Sequence, residues 1–101
     1  MISVDLSKIR RFKKMSKRAI NRILHPKEIF EFELLDKQKQ MLFLATRWAI
    51  KECLFKIDNS LFEYNKIQIT KTKAGKYIYD DFQLSTTNED GYVVAVALKL
   101  S

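Results

Sequence analysis

The sequence predicts a single α+β domain: a short N-terminal strand, three helices, then an antiparallel sheet. Three observations lead there. Apolar residues recur mostly at threes and fours up to Ile57. After Asn59 they alternate with polar ones. The later segments are separated only by short turn signals, and strands so joined pair antiparallel. At 101 residues the chain (1–101) holds one domain and no more.

Met1 to Val4 reads as a short strand. Ser7 to Leu24 reads as a basic amphipathic helix, with Ile9, Phe12, Ile20, Ile23 and Leu24 on its apolar side and Met15 and Ala19 between them. His25-Pro26 interrupts it. Pro26 suits a first helical position and Glu28 the positive end of a helix, so a second helix runs from there to about Leu35. Lys39 to Ile57 is the third and most hydrophobic helix. Apolar residues cover most of its circumference, the mark of a buried helix.

Tyr64 to Lys71 alternates, with Ile67 and Ile69 opposed to Lys66, Gln68 and Thr70. Ala74-Gly75 turns the chain into Lys76–Tyr79, and Phe82 to Thr86 is a further strand. Asn88-Glu89-Asp90-Gly91 is a turn into Tyr92–Leu100, a nearly continuous apolar strand that reads as central or interface-buried.

Composition narrows the function classes. Hydrophobic residues are 47% of the chain and charged ones 31%, too apolar for disorder. A domain this small buries only about two-thirds of its unfolded surface, which favours assembly into an oligomer. No apolar run approaches the ~18 residues of a membrane span, and the first residues lack the basic start and apolar core of a signal peptide. The single cysteine, Cys53, forms no internal disulfide and reads as a small buried hydrophobe. A cytoplasmic setting is expected. The net charge of +7 is concentrated: nine basic residues lie between Lys8 and Lys27, and no acid occurs from Leu6 to Lys27. Such a block suits an anionic partner, whether nucleic acid, a phosphate-rich cofactor, an anionic membrane or an acidic protein; a solvated helix face is the plainer alternative.

The chemistry-bearing candidates are few. Glu52 and Lys56 share a face of the third helix with Trp48. A carboxylate in so apolar a helix costs several kcal/mol unless it is paired or binds a cation; an ordinary Glu52–Lys56 ion pair is the competing explanation. Asp5 lies where the first strand meets the first helix, so it is either an N-cap or a ligand. His25, the only histidine, reads as a capping or packing residue. With no Gly-rich phosphate loop, HExxH or GxSxG, the familiar hydrolase and nucleotide-loop chemistries have no support.

Arg47-Trp48-Ala49-Ile50-Lys51-Glu52-Cys53-Leu54-Phe55-Lys56 resembles the segment R-F-A-A-K-E-A-x-x-K of the holo-acyl-carrier-protein synthases, the short 4′-phosphopantetheinyl transferases. Other blocks follow in the family's order. The opening through Asp5 to Arg11 resembles G-x-D-x-x-x-x-x-R, and Arg22 to Glu28 resembles R-I-[FL]-[TH]-x-x-E. Ile67-Gln68-Ile69 with Gly75-Lys76-Tyr77 resembles the strand and turn ending in N-G-[KR]-P, and Ser85–Asn88 with Tyr92–Val96 resembles S-[IL]-[ST]-H followed by Y-A-x-A-x-V. Together they span residues 2 to 98.

The resemblance implies transfer of the phosphopantetheine arm of coenzyme A to a serine of an acidic apo acyl carrier protein, with Mg2+ bound by Asp5 and Glu52. It implies that Lys56 lies near the pyrophosphate, that Lys51, Arg47 and Asn88 help bind the cofactor, and that the enzyme is a homotrimer with its sites between subunits. Arg11 matches a docking arginine, with Lys14, Met15, Lys17, Arg18 and Arg22 as neighbours on the face that receives the carrier protein. Three departures stand out. The opening glycines are absent, the Gly-rich loop after the K-E-x-x-x-K helix is replaced by Asp58-Asn59-Ser60, and Asn88 stands where the family has histidine. Asparagine cannot act as a base near neutral pH, which excludes any mechanism relying on that histidine. A small basic nucleic-acid-binding module is the alternative from another class, but it gives no reason for Glu52. A relative that keeps the fold without the activity is the other alternative.

Overall fold

The computed structural model describes residues 1–100. Its elements are β1 (Ile2–Lys8), a 3-10 turn (Ile9–Phe12), α1 (Lys17–Ile23), α2 (Pro26–Glu33), α3 (Lys37–Ile57), a second 3-10 turn (Tyr64–Lys66), β2 (Thr70–Lys71), β3 (Tyr77–Tyr79), β4 (Phe82–Glu89) and β5 (Tyr92–Leu98). The α+β class and the order of strand, three helices and antiparallel sheet are as the periodicity predicts.

Two predicted elements need correction. The helix expected over Ser7–Leu24 is not continuous. β1 runs on to Lys8 because β5 is long enough to pair with it, Ser7 opposite Val93 and Lys8 opposite Tyr92. Ser16 then caps a new helix, accepting a hydrogen bond from the Ala19 N–H at 3.1 Å. The apolar residues of this stretch reach the same core from separate pieces, Phe12 from the 3-10 turn and Ile23 and Leu24 from the end of α1. The strand expected over Tyr64–Lys71 shrinks to Thr70–Lys71. Ile67 and Ile69 are buried as the alternation requires, but the Ile69 N–H donates to the Glu28 carboxylate at 3.0 Å, not to a neighbouring strand.

The helix ends follow their local chemistry. His25 caps α2: its Nδ1 accepts from the Lys27 N–H at 3.1 Å, and Glu28 Oε1 accepts from the His25 N–H at 2.9 Å, a reciprocal capping box with Pro26 in the first turn. Asp36 caps α3 by accepting from the Lys39 N–H at 3.0 Å.

The sheet order is β1-β5-β4-β3-β2, antiparallel throughout. Asp90 and Gly91, with φ of 53° and 80°, make the tight β4–β5 turn, which requires positive φ at both positions. β5 is paired on both sides, the central place its sequence predicts. α3 lies across β1 and β5, packing Ala45, Ala49, Ile50, Cys53 and Leu54 against Val93, Ala95 and Ala97. Small residues at this seam let helix and sheet approach closely. Each large buried side chain contributes about 1.5–3 kcal/mol.

The two faces of β1 differ sharply. Ser3, Asp5 and Ser7 turn toward α3, while Ile2, Val4 and Leu6 point away and stay 71%, 58% and 60% exposed. Val94, Val96 and Leu98 of β5 continue that outer apolar stripe. No helix among the described residues is long and apolar enough to cross a membrane.

Candidate active site

Asp5 sits in the middle of β1, opposite Ala95, and not at a helix start, so it caps nothing. Strand alternation turns its carboxylate toward the C-terminal half of α3. There Lys56 Nζ lies 3.1 Å from Asp5 Oδ1 and donates to the Val4 carbonyl at 2.8 Å. Ser7 Oγ donates to Asp5 Oδ2 at 3.3 Å. The i,i+4 ion pair between Glu52 and Lys56 does not form. Glu52 Oε2 instead accepts a hydrogen bond from the Tyr64 hydroxyl. Burial raises the Tyr64 phenol well above its usual range, with the hydrogen bond and charge of Glu52 and then the charge of Asp5 adding to it. The phenol therefore stays protonated near neutral pH, a donor and not a base. Glu52 and Lys56 are four residues apart on α3 and share one of its faces, the face that Asp5 meets through Lys56.

The donor set is two carboxylates with hydroxyls, all hard oxygen. Cys53 is buried, its Sγ 3.3 Å from the Ala95 carbonyl, and burial pushes its thiol up. No group of three or more His, Cys, Asp or Glu side chains that encloses a metal occurs among the described residues. The pair fits an ion such as Mg2+, which takes one or two carboxylates and completes its shell with water and substrate phosphate.

Lys51 requires a correction. The resemblance assigns it to the cofactor's phosphates, yet it is 0% exposed. Its ammonium donates to Glu28 Oε1 at 2.5 Å, the Ile23 carbonyl at 2.8 Å and the Tyr64 carbonyl at 2.9 Å. A lysine has three N–H donors, so none is left for a phosphate. Burial lowers its pKa to about 8 against the opposing pull of Glu28.

Arg47 and Asn88 come together elsewhere. Both line a cleft of about 410 Å³ with Glu31, Phe43, Lys71 and Tyr77, and Asp5, Glu52 and Lys56 do not contribute to it. The Arg47 guanidinium lies 4.1 Å from the Phe43 ring centroid and 5.0 Å from that of Tyr77. Its Nε is 3.4 Å from Glu28 Oε2 but makes no hydrogen bond.

Of the residues predicted to receive a partner, Arg11, Lys14, Arg18 and Arg22 are exposed, and Met15 is partly buried against the core. Two residues of the site were not singled out from sequence. Tyr64 carries no local signal. Glu28 carries one, as the first acid after the long basic stretch and a capping-box partner.

The sequence profile of the 4′-phosphopantetheinyl transferase superfamily matches residues 1–97. The chain belongs to this family. It is 46% identical over 101 residues to the holo-[acyl-carrier-protein] synthase of Mycoplasmopsis pulmonis, covering 99% of this chain and 90% of that one. Identity to the Mycoplasma mobile holo-[acyl-carrier-protein] synthase is 41% over 99 residues, covering 98% and 88%. In fold, it matches a Bacillus anthracis holo-(acyl-carrier-protein) synthase in complex with CoA (3′,5′-ADP) with a TM-score of 0.84 at 24% identity, over 95% of this chain and 91% of that one. The Neisseria meningitidis enzyme gives 0.78 at 26% identity, over 95% and 94%.

In this member of the phosphopantetheinyl transferase superfamily a chain of contacts runs from the basic surface toward Glu52. The Arg11 guanidinium lies 5.5 Å from the Trp48 ring. Trp48 meets Tyr64 edge-on, centroids 5.5 Å apart and planes at 71°, and Tyr64 reaches Glu52.

Proposed function

We propose that the chain is a holo-acyl-carrier-protein synthase acting in the cytoplasm, moving the 4′-phosphopantetheine arm of coenzyme A onto a serine of apo acyl carrier protein. The supporting observations are that Asp5, from β1, meets Lys56, and that Glu52, one turn before Lys56 on the same face of α3, accepts from the Tyr64 hydroxyl.

The serine oxygen forms a bond to the β-phosphorus of coenzyme A as the bond from that phosphorus to the bridging pyrophosphate oxygen breaks; 3′,5′-bisphosphorylated adenosine leaves with the bridging oxygen, and the serine proton is released to solvent. Asp5 and Glu52 would hold Mg2+, which would supply charge neutralisation on the pyrophosphate. Lys56 is steadied on β1 by two acceptors, Val4 O and Asp5 Oδ1, and keeps a third donor for a phosphate oxygen. Arg47 and Lys71 give the separate cleft a cationic wall for the cofactor's other phosphates, with Asn88 as a neutral hydrogen-bonding group. Arg11, Lys14, Met15, Arg18 and Arg22 receive the carrier protein, whose acidic helix their charge steers.

We infer a homotrimer. The exposed apolar stripe of Ile2, Val4 and Leu6 supports it, since burying that stripe between subunits removes it from water. The separation of the Arg47 cleft from the carboxylates also supports it, since a neighbouring subunit can bring the two half-sites together. Sedimentation at micromolar concentration giving only monomer contradicts this assembly.

The activity is tested by incubating the chain with coenzyme A, Mg2+ and apo carrier protein and weighing the carrier by mass spectrometry. The added arm is expected with the wild type and lost with Asp5→Ala and Glu52→Ala, both folded. Full transfer by both variants overturns the metal assignment.

A further inference from the structure

We propose that Tyr64 is a positioning residue of this site, its hydroxyl holding the Glu52 carboxylate still for the divalent cation. The inference rests on the reading of Asp5 and Glu52 as metal carboxylates, and adds a residue outside the motif segments.

Tyr64 is anchored at three points. Its carbonyl accepts from Lys51 Nζ at 2.9 Å, and that ammonium is itself locked by the fully buried Glu28 and by the Ile23 carbonyl. Its ring is held edge-on against Trp48. Its hydroxyl donates to Glu52 Oε2. The first two anchors need only a backbone and an aromatic ring, and phenylalanine satisfies both. The hydroxyl is the part that packing does not explain.

A glutamate has three side-chain torsions, and on a half-buried helix face it samples several rotamers. A donor fixed by the core and aimed at one carboxylate oxygen removes most of that freedom. Glu52 Oε1 accepts no hydrogen bond among the described residues and remains for a cation. Hydrogen bonds from outside the coordination sphere orient a ligand in this way, and removing one typically weakens metal affinity about 10–100-fold. Lys51 acts one step further out: it holds the backbone that carries the donor, which gives this buried lysine beside Glu52 a role other than phosphate contact.

The test is Tyr64→Phe, which keeps the ring and removes one oxygen atom. Mn2+ binding is followed by electron paramagnetic resonance in the presence of coenzyme A and without carrier protein, so no turnover occurs. Binding by the variant is expected to weaken at least about 10-fold. The Mg2+ concentration for half-maximal transfer is expected to rise in parallel, with kcat at saturating Mg2+ within about twofold. A thermal melt confirms that the variant is folded. Unchanged Mn2+ affinity in a folded variant overturns this inference alone, as does a fall in kcat at saturating Mg2+ with unchanged half-saturation. Absence of Mn2+ binding by the wild type overturns the metal reading as well.

Discussion

Lys56 reaches across to Asp5 and not along its own helix to Glu52: its Nζ lies 3.1 Å from Asp5 Oδ1 and donates to the Val4 carbonyl at 2.8 Å. The strand that carries Asp5 thereby fixes the lysine proposed to face the substrate.

Lys56→Met removes a positive charge from the proposed pyrophosphate site. Loss of one such donor lowers kcat by about 100-fold. Lys56 is 48% exposed, so its ion pair is screened and its loss changes stability by about 1 kcal/mol or less. Steady-state kinetics with a thermal melt checks both; kcat within twofold of wild type contradicts the assignment.

Lys51→Met separates a structural from a cofactor-binding role. It leaves the buried Glu28 carboxylate with the His25 and Ile69 N–H donors but with only the imperfectly aligned Arg47 as a charged partner. Breaking a buried pair costs about 3–5 kcal/mol, a loss that chemical denaturation measures. Unchanged stability with a raised KM for coenzyme A restores Lys51 to the cofactor's phosphates.

The same lysine carries a pH signature. Its folded pKa is about 8 and its ordinary value 10.5. Between those values the unfolded chain binds more protons, so this group's contribution to stability rises with pH there and is lost as pH falls through about 8. A lysine-selective NMR titration is expected to find one ammonium releasing its proton about pH 8. If every lysine titrates near its ordinary value, the ammonium is not enclosed.

Charge reversal on α1 tests carrier docking. Arg18→Glu with Arg22→Glu is expected to raise the KM for carrier protein about 10-fold and flatten its salt dependence, leaving the KM for coenzyme A unchanged. Equal effects on both substrates contradict a docking role.

The sequence made the core of α3 legible because its apolar residues run almost unbroken around it, which also exposed Glu52 and Lys56 as anomalies. Asp5 was legible as a carboxylate but not as a strand residue. The length of β1 is set by its pairing with β5, a partner near the other end of the chain. The break between the 3-10 turn and α1 was hidden because no Gly or Pro marks it and both pieces bury apolar residues at spacings a single helix also produces. Lys51 and Tyr64 were misplaced or missed because their partners are tertiary: Glu28 lies 23 residues from Lys51, and Glu52 lies 12 from Tyr64. A helical lysine reads the same whether its ammonium meets water or a buried acid.

The proposed joint grip of Asp5 and Glu52 on one cation is tested most directly by crystals grown with Mn2+ and coenzyme A. Anomalous scattering is expected to show one peak within bonding distance of both carboxylates and of the pyrophosphate. A peak bound by neither, or carboxylates that stay on Lys56 and Tyr64 while pyrophosphate and metal lie elsewhere, contradicts it.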